Sequence, residues 1–221
     1  MNKCLIVANL KSYQNETEAK NWLESFQKIK ELNLDLTQKE IVICPAFTEL
    51  FSFFSFFSSN NITVRLGAQN VSPFDGGAYT GEVNAKQVKD FAEYVLIGHS
   101  ERRQNFAETD DMLIKKVAMA LKYGLNPIFL VQTQGELVPQ DVQVVAYEPV
   151  AAIGTGTPDT PENADAVAAV IKSKNNVQVL YGGSVTAENV KSFTAKANID
   201  GVIIGGASLD AEELIKIIQN A

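Results

Sequence analysis

Short runs of apolar, largely β-branched residues recur along the chain. Each is followed by a tip of Gly, Asn or Pro and then by a longer amphipathic stretch. The runs Cys4–Ala8, Ile41–Cys44, Ile62–Leu66, Tyr94–Ile97, Pro127–Val131, Val142–Tyr147, Val177–Tyr181 and Val202–Ile204 predict eight strands. Several are apolar at every position, the pattern of strands buried on both faces. Between them, Glu16–Leu32 places Ala19, Leu23, Phe26 and Ile29 at helical spacing. Further helices are predicted over Asn84–Ala92, Glu108–Tyr123 (stopped by Gly124), Pro161–Lys174 (opened by Thr160), Thr186–Ala197 and Asp210–Gln219. The phenylalanine-rich Thr48–Ser58 fits a helix or a strand equally.

Strand and helix alternate from end to end with no linker and no low-complexity tract. Residues 1–221 therefore read as a single α/β domain around a parallel sheet. Eight strands can form an open sheet or a closed barrel, and two glycine pairs decide for the barrel. Gly182-Gly183-Ser184 follows the seventh run and Gly205-Gly206-Ala207-Ser208 the eighth. Paired glycines let backbone N–H groups approach an anion. In (β/α)8 TIM barrels the loops after strands seven and eight commonly form a phosphate site.

One unit departs from the pattern. Gln132 to Asp141 is shorter than the dozen or so residues that a crossover with its helix needs. Extended, it still reaches roughly 33–36 Å, enough to return along a barrel strand of about 17–20 Å. The fifth helix is expected to be missing or reduced to a short turn. Outward side chains of strands five and six, with Ile128 or Leu130 as the candidates, then need another cover, which a neighbouring helix or a subunit contact could supply.

Composition narrows the partners. Hydrophobic residues make up 46% and charged residues 20%, ordinary for a globular protein. A net charge of -7 lacks the basic footprint of a nucleic-acid or anionic-membrane binder. A small anionic substrate stays compatible, because a local field can oppose the net charge. Cys4 and Cys44 lie in apolar runs and read as buried free thiols, which suits a reducing cytosol. With one histidine they cannot complete a metal cluster, and no redox cofactor motif appears, so neither metal nor cofactor is expected. The N-terminus has no signal-peptide layout and no apolar run approaches a membrane span, so the expected location is cytoplasmic.

The candidate chemistry sits at the strand ends, where active sites of this fold lie. Asn9 and Lys11 end strand one; two apart in extended chain, they point to the same side. His99, the only histidine, ends strand four behind Gly98, and Glu148 ends strand six, held by Pro149. Singly, these pass as a turn former, a surface charge, a packed imidazole and a solvated acid. Their convergence with the glycine pairs on one face is harder to explain by accident. A carboxylate can take a proton from carbon. A histidine can polarise a carbonyl, and a lysine with an asparagine can stabilise the developing oxyanion. The fitting reaction class is proton abstraction beside a carbonyl on a phosphorylated substrate.

The chain also resembles the triosephosphate isomerase family along nearly its whole length. The matching stretches are Ala-Asn-Leu-Lys at 8–11, Gly-Ala-Gln-Asn at 67–70, Gly-Ala-Tyr-Thr-Gly-Glu at 77–82, Ile-Gly-His-Ser-Glu-Arg-Arg at 97–103, Ala-Tyr-Glu-Pro-Val at 146–150, Ala-Ile-Gly-Thr-Gly at 152–156, Tyr-Gly-Gly-Ser-Val at 181–185 and Gly-Gly-Ala-Ser-Leu at 205–209. The resemblance implies interconversion of dihydroxyacetone phosphate and D-glyceraldehyde 3-phosphate through an enediolate, in glycolysis and gluconeogenesis. It implies Glu148 as the base and His99, as neutral imidazole, as the electrophile; the family is a standard example of such tuning, so these roles come with the resemblance. Lys11 and Asn9 would stabilise and position the enediolate, with Glu101 orienting Lys11. Asn9, Lys11 and the backbone at Gly154, Ser184, Gly205 and Gly206 would bind the phosphorylated substrate. Residues 149–157 would form a lid, with Ile153 and Ile203 pressing on the base when it closes. The family is typically a homodimer. Loop 69–82 would plug into the neighbour, Thr80 approaching the partner's active site, Glu82 pairing with Arg102 across the interface and Glu108 bracing that arginine within its own chain.

This chain departs from the family pattern around the lid. Ala151 stands where the family usually has Trp, and Gln132-Thr133 where it has Gly-Glu after strand five. In the family that glutamate contacts the hinge tryptophan, so the closed lid here must be held differently. Thr157 replaces a common Lys and Leu10 the usual Trp. These changes motivate an alternative: a catalytically impaired barrel acting as a phosphate-ligand binding or structural protein. Intact Asn9, Lys11, His99 and Glu148 speak for an active enzyme.

Overall fold

Eight parallel strands close in sequence order into a barrel, β8 pairing back onto β1. They are β1 (Cys4–Asn9), β2 (Lys39–Cys44), β3 (Arg65–Ala68), β4 (Tyr94–Ile97), β5 (Asn126–Val131), β6 (Val144–Tyr147), β7 (Gln178–Gly182) and β8 (Gly201–Ile204). The structure is a computed structural model that describes residues 3–32, 34–152 and 154–221. The helices among them are α1 (Glu16–Phe26), α2 (Leu50–Ser59), α3 (Ala85–Lys89), α4 (Ser100–Asn105), α5 (Asp110–Lys122), α6 (Pro161–Lys174), α7 (Val190–Thr194) and α8 (Ala211–Asn220). None is long and apolar enough to cross a membrane.

Two apolar layers hold the barrel. Alternate strand residues fill the interior: Leu5 and Val7, Val42 and Cys44, Leu96, Ile128 and Leu130, Val144 and Ala146, Leu180 and Ile203. The other strand faces pack outward on the helices, where Trp22, Phe26, Phe53 and Phe57 form a continuous aromatic group. Each such aliphatic or aromatic side chain contributes about 1.5–3 kcal/mol by leaving water. The spacing read in α1 is met: Ala19, Leu23 and Phe26 are buried on its inner face, and Asn15 with Glu18 caps its start.

Several expectations are corrected. Ile128 and Leu130 face the barrel interior, and the outward residues of β5 and β6 are Phe129, Val131, Val145 and Tyr147. A run apolar on both faces hides its parity. The catalytic side shows it, because Glu148 shares a face with Ala146 and Val144, and Val144 is in register with Ile128. The third strand runs Arg65–Ala68 rather than Ile62–Leu66; Ile62 and Val64 lie in the irregular connection between α2 and that strand. Gly67 sits inside that strand because a Cβ there would lie 2.6 Å from the Cys44 sulfur. The segment Thr48–Ser58 resolves as helix α2, and α4 forms before α5 where no helix was expected. Glu16–Leu32 is α-helical only to Phe26 and then tightens to a 3-10 segment, Gln27–Leu32.

Residues 132–143, between β5 and β6, hold turns and no helix. The outward faces of β5 and β6 are nonetheless buried. Val138 and Val142 of this connection join the same outer apolar layer, and the Arg103 guanidinium lies 5.9 Å from the Phe129 ring.

Candidate active site

The strand ends deliver polar groups to one cavity of about 320 Å³ at the C-terminal mouth of the barrel. Asn9, Lys11, His99, Glu148, Gly154, Ser184, Ile203, Gly205 and Gly206 all line it. Glu101 reaches it indirectly, through Lys11. Ile153 lies outside the described residues. Thr80 and Glu82 are exposed on the loop between β3 and α3, and the fold does not bring them to this cavity.

Lys11 does not arrive by continuing strand one, which ends at Asn9. Its backbone is left-handed (φ 54°), and the Asn9 side chain accepts a hydrogen bond from the Lys11 N–H at 3.1 Å. The same-side placement thus comes from a turn rather than from extended spacing. Gln69, which sequence reasoning gave no role, holds this turn: its amide donates to the carbonyls of Lys11 at 2.8 Å and Cys44 at 2.9 Å. Its only signal in the sequence was its place in the Gly-Ala-Gln-Asn stretch. Gln69→Leu strips both donors, leaving two carbonyls short of a partner and an uncommon backbone conformation unsupported. Steady-state kinetics should show a fall of about tenfold in kcat/KM, because displaced catalytic groups lose much of their effect.

Lys11 is mostly buried, and its ammonium contacts Glu101 at 2.5 Å. Gly205 leaves room for it; a Cβ there would meet the lysine Cε at 3.1 Å. His99 caps α4, its Nδ1 accepting the Glu101 backbone N–H at 3.2 Å. That bond uses the Nδ1 lone pair, so Nε2 carries the proton of a neutral ring and faces the carboxylate. His99 Nε2 lies 3.6 Å from Glu148 Oε2.

Glu148 is buried and its Oε2 has no hydrogen-bond partner among the described residues. Burial raises its pKa above the usual carboxylate range; the neighbouring His99 and Lys11 oppose that shift only in part. Gly182 makes the pocket for this side chain, since a Cβ there would stand 2.7 Å from Glu148 Cγ and 2.6 Å from Ile203. A carboxylate kept desolvated beside an imidazole donor and an ammonium can take a proton from a carbon while the adjacent oxygen is stabilised.

The segment after β6 is tied at several points. Ser184 Oγ donates to Ala152 O at 2.8 Å, and the Tyr181 hydroxyl accepts the Asp159 N–H at 2.8 Å. Thr155 Oγ1 donates to Ala151 O at 3.1 Å. On the other side, Arg102 donates to Glu108 at 2.5 Å, and Glu108 also takes the buried Lys116, which reaches Asn70.

Comparison with known proteins agrees with this geometry. The family model described as triosephosphate isomerase matches residues 4–138 and 132–221, its two stretches meeting in the helix-free connection. A protein named triosephosphate isomerase from Dictyoglomus turgidum is 38% identical, with both chains covered in full. One of the same name from Trichodesmium erythraeum is 38% identical over 99% of each chain. Another, from Dictyoglomus thermophilum, is 36% identical over the full length of both. Matched from the first strand to the last helix, the chain belongs to the triosephosphate isomerase family.

Proposed function

We propose that this protein interconverts dihydroxyacetone phosphate and D-glyceraldehyde 3-phosphate. The observation that carries the reading is the meeting of Glu148 and His99 at 3.6 Å in a cavity also lined by Lys11 and by glycine-bearing loops. Glu148 takes a proton from the carbon next to the carbonyl. His99 donates through Nε2 to the oxygen that gains electron density, and Lys11, set by Asn9 and Glu101, stabilises the enediolate charge. Glu148 then returns the proton to the neighbouring carbon while His99 passes the hydroxyl proton from one substrate oxygen to the other, so no proton is gained or lost overall. Backbone N–H groups at Gly154, Ser184, Gly205 and Gly206 receive the phosphate. Residues 149–157 act as a lid that excludes water, with Ile153 and Ile203 pressing on the base; Thr155, Tyr181 and Ser184 supply the ties that the missing hinge tryptophan does not.

The working unit in this reading is a cytoplasmic homodimer. Loop 69–82 projects its exposed Tyr79–Glu82 tip toward a second copy, Thr80 meets that copy's Asn9 and Lys11, and Glu82 meets its Arg102. Arg102 is supported by its bond to Glu108. The experiment is a coupled assay in both directions with the two triose phosphates, alongside light scattering. Turnover of both substrates by a particle of two chains is expected. Absence of turnover would return the protein to the phosphate-binding or structural reading, and a single-chain particle would remove the dimer.

A further inference from the structure

The connection from β5 to β6 has no helix to anchor it, yet it is held by charge. Glu136 Oε1 accepts the backbone N–H groups of Gln132 at 2.7 Å and Thr133 at 2.9 Å. Its Oε2 lies 3.3 Å from Arg103 Nη2. Arg103 itself is largely buried and reaches three other places. Nε donates to Gly98 O at 2.9 Å, Nη2 to Leu130 O at 3.4 Å, and Nη1 contacts the exposed Asp110 at 3.0 Å. Gly98 is the residue before His99. Between Leu130 and Gln132 sits Val131, whose carbonyl accepts the Glu148 N–H at 2.8 Å.

We propose that Glu136 and Arg103 form a clamp that fixes the strand ends bearing His99 and Glu148 relative to one another, which makes both positioning residues for the reaction proposed above; the inference rests on that reading. The clamp grips either side of Val131, Arg103 on the carbonyl before it and Glu136 on the amide after it. The same guanidinium holds the carbonyl next to His99. A planar fork with several donors suits this better than an ammonium, because its bonds hold direction as well as charge. Neither residue touches the cavity, so the effect passes through the backbone at Gly98 and Val131. A helix packed under β5 and β6 would brace these ends by apolar contact; here one ion pair between a loop and α4 does so.

Glu136→Gln tests the clamp. The amide oxygen can still accept the Gln132 and Thr133 N–H groups, so the loop keeps its shape, but the charged contact to Arg103 is lost. The expected result is a fall of about tenfold in kcat with KM within about twofold of wild type, since misplaced catalytic groups cost turnover rather than substrate affinity. Asp110→Asn removes the other carboxylate of Arg103 on the solvent side and should leave kcat and KM unchanged. Wild-type kcat in Glu136→Gln, or an equal loss in Asp110→Asn, overturns the clamp while leaving the isomerase reading intact. If Glu136→Gln does not fold, Arg103→Lys carries the same test, because it keeps the charge and loses the fork. An inactive wild-type protein would overturn the isomerase reading and the clamp with it.

Discussion

Glu148→Gln should abolish most turnover and, at neutral pH, make the protein more stable. The loss follows from removing the group that takes the proton, worth about 10²–10⁴-fold in kcat. The gain follows from the same burial that raises the Glu148 pKa. In the folded protein the ionised carboxylate is cut off from water, and one oxygen has no hydrogen-bond partner among the described residues. In the unfolded chain it ionises at its ordinary value of 4.5. Below that value both states hold the proton and Glu148 costs nothing. As pH rises through 4.5 the unfolded chain releases its proton first, so stability declines, and the decline is complete once pH passes the raised folded value. The glutamine variant has no such penalty. Thermal melts of the two proteins should coincide below pH 4.5 and separate above it, with the variant melting higher. The acid limb of wild-type kcat/KM should fall above 4.5 for the same reason. Equal melting temperatures at pH 7, or a wild-type acid limb at or below 4.5, would show that this carboxylate is not held desolvated.

Gly201→Ala should produce the largest loss of stability in the chain. Gly201 stands where β8 closes onto β1, in register with Leu5. A Cβ there would lie 2.0 Å from the Leu5 carbonyl oxygen and 2.7 Å from the Leu5 backbone N. Both are backbone atoms, so no side chain can rotate away, and relief requires the β1–β8 seam to open. Overpacking at sites that can adjust costs about 1–3 kcal/mol, so a rigid backbone clash belongs at or above the top of that range. For a chain of this size each kcal/mol lowers Tm by about 2–4 °C, so a fall of about 6–12 °C or more is expected in calorimetry. Gly206→Ala is the control, since a Cβ there meets nothing within 4 Å. A variant at 201 as stable as the one at 206 would mean that the seam is not tightly closed.

Much of the architecture was legible because a parallel barrel writes itself into the chain as a repeat. Continuous apolar runs mark strands covered on both faces, and Gly182-Gly183 with Gly205-Gly206 at the last two runs distinguishes a barrel from an open sheet. The same glycines explain why His99 and Glu148 could be placed at one mouth. Strand order is sequence order, so the strand ends of a closed barrel gather on one face whatever the side chains between them. Gln132 to Asp141 was too short for a helical crossover by chain length alone.

What the sequence could not carry were facts that depend on which way a residue turns and what stands opposite it. The sequence does not separate the inward Ile128 and Leu130 from the outward Phe129 and Val131, because both faces of β5 are apolar and only register against β6 tells them apart. Lys11 reaches the cavity through a left-handed turn that Gln69 secures from just beyond the end of β3. Gly67 and Gly182 look like plain loop tips in sequence, but each lies within a strand and leaves room for one side chain from the neighbouring βα unit, Cys44 and Glu148. Glu136 and Arg103 are separated by an entire βα unit and meet only because β4 and β5 are adjacent in the barrel. Composition and periodicity are local properties of the chain, and they determined the strands, the barrel and the face that bears the chemistry. Register, parity and long-range polar contacts exist only once the barrel has closed, and they alone decided how Lys11, His99 and Glu148 are held.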